Sequence, residues 1–360
     1  MYNSAQTGEA YVQELLGGHP DCIHDVLGVG KHVFRTLVQE LIDCAGLEAS
    51  KHLSCEEQVA IFLRLARTGL GQREARERFQ RAPETVSLVF NRVLQMLINP
   101  RFYRRYVKLP RHDHTPPEIR SNPRFYPYFR PVRGAIDCTH LDAHVSAEDL
   151  ARYRNRKGRI SQNVITACSF DMRFLYVLPG WEGSAADSRI FQDARESDFA
   201  VRQGTCYLAD AGFPMCNALL VPYRGVRYHL REWATASHKP RNYQELYNLR
   251  HASARNVVER IFGVVKRRFH LLVAAAEYSL KTQAEVVHAL CVLHNFIRIH
   301  DPDDLDLDDE EELQRTSEQS VPDDFSGSIT AEEREQATLR RDQIAKQMWE
   351  DYVAYLETRS

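Results

Sequence analysis

Gly134-Ala-Ile-Asp-Cys-Thr-His140 is an apolar, β-prone run that carries one carboxylate, Asp137, in the middle of a strand. Two later stretches do something similar. Residues 207–213 (YLADAGF) end a strand on Asp210, and residues 255–269 (RNVVERIFGVVKRRF) place Glu259 on a basic helix. Three acids delivered this way can converge on a pair of hard cations, because ions such as Mg²⁺ prefer carboxylate oxygens and keep other positions for water and substrate phosphates. Phosphodiester hydrolysis uses such a pair: two ions ~3.5–4 Å apart activate the attacking water and neutralise the departing oxygen. On the Glu259 helix, Arg255 lies one turn before and Lys266 two turns after, on the same face. From there both can clamp a phosphodiester backbone.

Around these acids the spacing predicts a sheet. A strand over 133–144 alternates about Asp137, two β-rich runs over 162–170 and 173–181 are joined by a short Asp171-Met172 turn, and further strands fall at 205–209 and 219–223. Arg152, Arg154, Arg156, Lys157 and Arg159 crowd a turn before the second strand. Helices are predicted over 187–196, 242–269 and 282–299. Asp187 stands at the start of the first of these, where a cap is the favoured role and a metal-site accessory the alternative. His288, Cys291 and His294 share one helix face but lie among Leu290, Val292, Leu293 and Phe296, a core pattern. Asp142 and His140 should point away from the Asp137 face of the strand.

The amino-terminal third is helical. Residues 31–44 carry an apolar stripe that closes near Gly46, and Ser54-Cys-Glu-Glu57 has the form of a capping box opening a helix to about Thr68. Gly69-Leu-Gly71 turns the chain, a short helix follows at 72–79, and Pro83 starts another that runs to about Ile98. Three helices so spaced fit a helix-turn-helix presenting Thr85, Ser87, Asn91 and Arg92, or a plain bundle that supports the next domain. Residues 1–20 are expected to fray. Residues 101–133 have no period, only Asp113 and Glu118 as acids, and Arg, Pro and aromatics throughout. They read as an irregular basic connector, suited to binding phosphates and stacking on bases or to wrapping the next domain.

The net charge of −2 hides an asymmetry. Residues 301–360 hold 19 Asp+Glu against 6 Lys+Arg, leaving 30 against 41 in the first 300 residues. A basic body with an acidic tail suits a polyanionic partner. The tail reads as low-complexity through DPDDLDLDDEEE, with a helix near 330–356. No run approaches the ~18 apolar residues of a membrane span, and the start lacks the basic-then-apolar pattern of a signal peptide. The eight cysteines form no C-x-x-C pair, which argues against a zinc or disulfide framework and for reduced thiols.

Several stretches, in order from about Ser54 to His300, resemble the PIF/Harbinger DDE transposases and the nucleases derived from them: EEQVAIFL, ERFQRAPETVSLVFNRVL, GAIDCTH, YRNRKGRISQNVITACSFDMRFLYVLPGWEGSAADSRIF, YLADAGFP, RNVVERIFGVVKRRF and ALCVLHNFIR. The resemblance implies an α/β, RNase H-like mixed sheet flanked by helices over 133–300. Before it would come an all-α, helix-turn-helix-like domain over 1–100 and the connector 101–132, and after it the acidic, largely disordered tail 301–360. It also implies an Asp137–Asp210–Glu259 catalytic and metal-binding triad, two divalent ions (Mg²⁺ or Mn²⁺), and cleavage, with possible strand transfer, of double-stranded DNA in the nucleus. A Myb-like protein partner and an oligomer belong to the same expectation. DNA contacts would fall to Arg255, Lys266, Arg154, Arg156, Lys157 and Arg159. Many relatives carry His where this chain has Ala186, so any help from that His is missing here. A domesticated, catalytically silent DNA-binding protein and an RNase H-like nuclease on RNA or hybrids remain as alternatives.

Overall fold

The strand that carries Asp137 is β1 (Val132–Asp142), and it lies at the centre of a five-stranded mixed sheet in the computed structural model, which describes residues 6–111, 114–235, 239–304 and 329–358. β2 (Ser161–Cys168) and β3 (Phe174–Glu182) follow as an antiparallel meander, while β4 (Cys206–Leu208) and β5 (Leu219–Leu220) add in parallel on the other side, giving the order β3-β2-β1-β4-β5. Every residue of β2 is buried, as a strand covered on both faces requires. Gly134 opens the decisive stretch for a steric reason: a Cβ there would lie 2.1 Å from the Cys168 carbonyl oxygen.

Seven helices precede most of the connector: α1 (Gly8–Gly17), α2 (Pro20–Leu27), α3 (Lys31–Ala45), α4 (Cys55–Thr68), α5 (Gln72–Phe79), α6 (Pro83–Leu97) and α7 (Pro100–Tyr106). Short α8 (Pro117–Arg120) precedes β1, α9 (Leu150–Tyr153) precedes β2, α10 (Asp187–Ser197) follows β3, and α11 (Leu230–Thr235) follows β5. Long α12 (Tyr243–Arg268) and α13 (Leu280–His300) come next, and α14 (Ala331–Glu357) closes the chain. Helices α12 and α13 cover one face of the sheet and α10 covers the other, where Ile136, Ile165, Phe191 and Phe213 form a separate cluster.

The apolar core on the α12 side runs without interruption into the amino-terminal helices, joining Phe34, Phe62 and Phe90 to Val264, Leu290 and Phe296. Gly69, at φ +61°, ends α4 against the residues after α12. A Cβ there would meet the His270 carbonyl carbon at 2.8 Å, so glycine is set by space as well as by backbone angle. Beside it, Arg268 pairs with Asp304 at 2.7 Å, both side chains 1% exposed, and His24 reaches the same carboxylate at 3.2 Å. One buried charge cluster thus ties α2, the end of α12 and the start of the tail.

Several sequence expectations need correction. Residues 8–17 are not frayed: they form α1, whose Tyr11, Val12 and Leu15 are buried. The connector is not irregular throughout, since its aromatics anchor α7, where Phe102 and Tyr106 are buried, and α8 follows with Ile119 buried. Only half of the capping box forms. Ser54 Oγ accepts from the Glu57 amide at 3.1 Å, but the Glu57 carboxylate turns inward to a two-point pair with Arg81 at 2.6 and 2.7 Å. Much of the acidic run after 304 lies outside the described residues. The helix expected beyond it is α14, which is docked rather than free: Tyr128 and Tyr223 donate to Asp351 and Asp342 at 2.6 Å each, and Arg340 donates to the carbonyls of Asn217 and Leu219 at 2.9 Å each. Among the described residues no helix is long and apolar enough to cross a membrane.

Burial holds three histidines neutral: His251 and His294 are pushed down to about 3 and His288 to about 4. The unfolded chain takes up these protons near pH 6.5 whereas the folded one does not, so stability falls as pH drops below about 6.5. Between pH 7.5 and 5.5 each histidine is expected to remove roughly 1.4 kcal/mol. Urea titrations at the two values measure this, and His294→Gln should reduce the difference between them by roughly 1.4 kcal/mol; an unchanged difference would place the effect elsewhere.

Candidate active site

Asp137 and Thr166 are direct partners across β1 and β2 and face α12, whereas Cys138 and His140 face the α10 side. Asp210 follows the end of β4, which pairs in parallel with β1, and its Oδ1 accepts from the Gly212 amide at 2.8 Å, a tight turn that fixes the carboxylate. Glu259 sits midway along α12, packed across β1. The fold therefore brings the three acids to one place. Burial pushes Asp137 up to about 7, and the charges of Asp210 and Glu259 add to the rise while Arg255 opposes it.

Arg255 is the organising cation. Its side chain is 3% exposed, its Nη1 donates to Asp137 Oδ2 at 2.8 Å, and its Nη2 donates to Glu259 Oε1 at 2.6 Å. Burial works against its charge, but Tyr228 and the surrounding acids more than offset that, so it stays protonated. Behind it, Nε donates to Tyr228 Oη at 3.0 Å, Tyr228 lies 3.1 Å from His251 Nδ1, and His251 Nε2 lies 2.9 Å from the Leu220 carbonyl oxygen. A carbonyl only accepts, so Nε2 carries the proton of this neutral histidine and Nδ1 accepts from the tyrosine. The sequence-based expectation that Arg255 faces a phosphodiester backbone is thus corrected: its place one turn before Glu259 holds, but the guanidinium points inward to the acids.

Lys266 is drawn onto β1, with Nζ 3.0 Å from Thr139 Oγ1, and burial lowers its pKa. Arg154, Arg156, Lys157 and Arg159 are exposed on the loop that enters β2, beside the end of β1. Arg159 pairs with Asp142, and Arg154 Nη1 donates to the Gly158 carbonyl at 3.2 Å, so two cations brace the loop while Arg156 and Lys157 stand at its tip. Arg156 and Lys157 act on His140, whose pKa is lowered chiefly by burial and then by Lys266. Lys266 and the loop cations thus gather at the far end of β1, around Thr139, His140 and Asp142.

Asp187 does not cap α10. Ala186 holds the cap position without a side-chain bond, and Asp187, the first helical residue, accepts from Asn163 Nδ2 at 3.2 Å and from the Cys138 thiol. Burial and the charge of Asp210 raise its pKa. It lies on the α10 side of the sheet, next to the acids but across the strand from Arg255. Cys291 and His294 pack in the core, with His294 Nε2 bonded to the Met172 carbonyl at 2.9 Å, and half-buried His288 lies 3.1 Å from the Tyr103 hydroxyl. Tyr228 and His251 went unnoticed in the sequence. His251 repeats the spacing of Arg255 and Glu259 at i, i+4, i+8 and was legible on that ground; Tyr228 lies in a loop with no period.

The donor chemistry suits a hard divalent cation, because the acids supply only oxygen and carry more negative charge than Arg255 balances. Among the described residues no three acidic, histidine or cysteine side chains stand close enough together to ligate an ion as they are, since the guanidinium separates Asp137 from Glu259.

Residues 136–295 match the DDE superfamily endonuclease family, and residues 3–99 match a domain of unknown function. The human protein named "Putative nuclease HARBI1" is 30% identical over 179 residues, 48% of this chain and 47% of its own; its Xenopus laevis namesake is 27% identical over 48% of each. An Arabidopsis thaliana protein, "Protein ALP1-like", is 24% identical over 197 residues, 49% of this chain and 45% of its own. The chain thus spans about half the length of the curated relatives it matches. No solved structure matches. The chain carries a DDE superfamily endonuclease domain and is homologous to these Harbinger-derived proteins. DDE superfamily endonucleases generally use divalent metals.

Asp187 is a half-buried charge beside another acid. Asp187→Asn keeps an oxygen for Asn163 and Cys138 while removing the repulsion from Asp210, so the variant is expected to be at least as stable as the parent. A thermal melt checks this; a loss above about 1 kcal/mol would mean that the attraction of Arg156 outweighs the repulsion of Asp210.

Proposed function

We propose that the chain is a metal-dependent DNA endonuclease of the DDE type on an RNase H-like fold, with Asp137, Asp210 and Glu259 as the residues that hold two divalent ions, Mg²⁺ or Mn²⁺. The observation that carries this reading is the meeting of the three carboxylates from β1, the end of β4 and α12 around one buried guanidinium. When bound, such ions supply an activated water and a counter-charge for the leaving oxygen. The chain's own residues do the rest. Arg156 and Lys157 at the loop tip, with Lys266 beside Thr139 of β1, hold the backbone of double-stranded DNA against the acids. Asp187 and Asn163 steady the β1 region from the opposite side of the sheet. Before an ion binds, Arg255 keeps Asp137 and Glu259 in place. Cleavage followed by strand transfer, work in the nucleus, a Myb-like DNA-binding partner and an oligomeric working form belong to the same proposal, supported by the homology. Recognition by α4–α6 as a helix-turn-helix is part of it, with α6 the candidate reading helix.

Nicking of a supercoiled plasmid with Mg²⁺ or Mn²⁺ tests the reading. The parent chain is expected to nick and Asp210→Asn to lose roughly a hundredfold or more in rate. Equal cleavage by both would remove Asp210 from the site. No cleavage by either, with DNA still bound, would favour a silent DNA-binding protein, and preferential cutting of RNA–DNA hybrids would favour the RNase H-like alternative.

The loop tip gives a second expectation. Replacing Arg156 and Lys157 together by Ala should weaken DNA binding and lower the log–log salt slope by roughly 2, about 0.9 for each phosphate no longer neutralised. Fluorescence anisotropy over a series of salt concentrations measures it, and an unchanged slope would exclude the loop from the DNA interface.

A further inference from the structure

The most deeply buried charge at the site is a cation. The side chain of Arg255 is 3% exposed, against 18% for Asp137 and 28% for Glu259. Each of its three nitrogens has its own partner: Nη1 has Asp137, Nη2 has Glu259 and Nε has Tyr228. The tyrosine is itself fixed, because His251 takes its proton and the Leu220 carbonyl takes the proton of His251. A chain of one-way donors therefore runs from the guanidinium to the backbone of β5. It holds the planar group from behind and presents its other edge to two carboxylates, a geometry that a lysine could not reproduce.

A divalent ion would need those same carboxylates. We propose that Arg255 is the resident counter-ion of the acidic site, seated by the positioning residues Tyr228 and His251, and that it competes with a divalent cation for Asp137 and Glu259. The proposal rests on the reading of the acids as a metal site. Unit charges a few ångströms apart at a partly buried site interact strongly, so guanidinium and ion do not share the two carboxylates without penalty. Once displaced, the Nη groups are free to meet a phosphodiester oxygen as paired donors. The site then changes from an internally neutralised state to one that holds metal and substrate.

The test is Mn²⁺ affinity of the full chain without DNA, read from the EPR signal of the free ion. Arg255→Gln removes the charge and is expected to bind Mn²⁺ about tenfold more tightly than the parent. Tyr228→Phe keeps the charge but removes the acceptor behind Nε, and should tighten binding by a smaller factor. Unchanged or weaker binding in Arg255→Gln would overturn the competition. Circular dichroism establishes whether that variant folds, and if it does not, Tyr228→Phe decides alone, with unchanged affinity overturning the proposal. Asp137→Asn separates the two readings. If it binds Mn²⁺ as the parent does, the metal site itself is wrong; if it loses the ion while Arg255→Gln binds like the parent, only the counter-ion role fails.

Discussion

The bonds from one buried guanidinium to Asp137 and Glu259 are the constraint on which the rest of the site depends. Carboxylates brought together at a buried sheet repel one another, and that repulsion adds to the burial that shifts Asp137 upward. Arg255 makes the gathering tolerable. It does so from the helix that carries Glu259, one turn earlier, so a single helix delivers an acid and its counter-charge at a fixed separation. The requirements propagate outward: α12 must lie across β1, β4 must end beside β1, and β5 must offer a carbonyl to the histidine that steadies the tyrosine behind the arginine.

Much of this was legible in the sequence. The strands over Asp137 and ahead of Asp210, the meander between them and the long helix under Glu259 were all visible as period and punctuation, because those elements are long or sharply bounded. The acids themselves were legible through the resemblance far more than through spacing. What escaped was side-chain direction. The sequence places Arg255 on the Glu259 face of a helix but does not say whether that face meets solvent or the sheet, and here it meets the sheet. Asp187 was misread for a related reason: Asp is a good cap in isolation, yet Asn163 and Cys138 offered its carboxylate better partners. Tyr228 depended on a loop returning to the site, which no local pattern records.

The amino-terminal helices were expected as a unit of their own, and their pattern did identify them. Yet their apolar core is continuous with that of α12 and α13, and Arg268, Asp304 and His24 fasten the seam with charge. Removing one partner from such a buried cluster strands the others, which is why it resists change even where its net contribution to stability is small. The helix bearing Glu259 is thus held at one end by the site and at the other by the helical domain, so a rearrangement among the first helices has a direct mechanical route to the acids.

α14 lies along β5, the short outermost strand, and Arg340 binds the carbonyls of Asn217 and Leu219 there. An uncovered sheet border is a template on which another chain can assemble strand by strand. By occupying that border with a charged helix from its own carboxyl-terminal region, the chain closes the β5 side of its sheet against self-propagating association. A segment that composition alone would assign to solvent therefore has a protective task, and its acidic character keeps the closure itself from becoming adhesive.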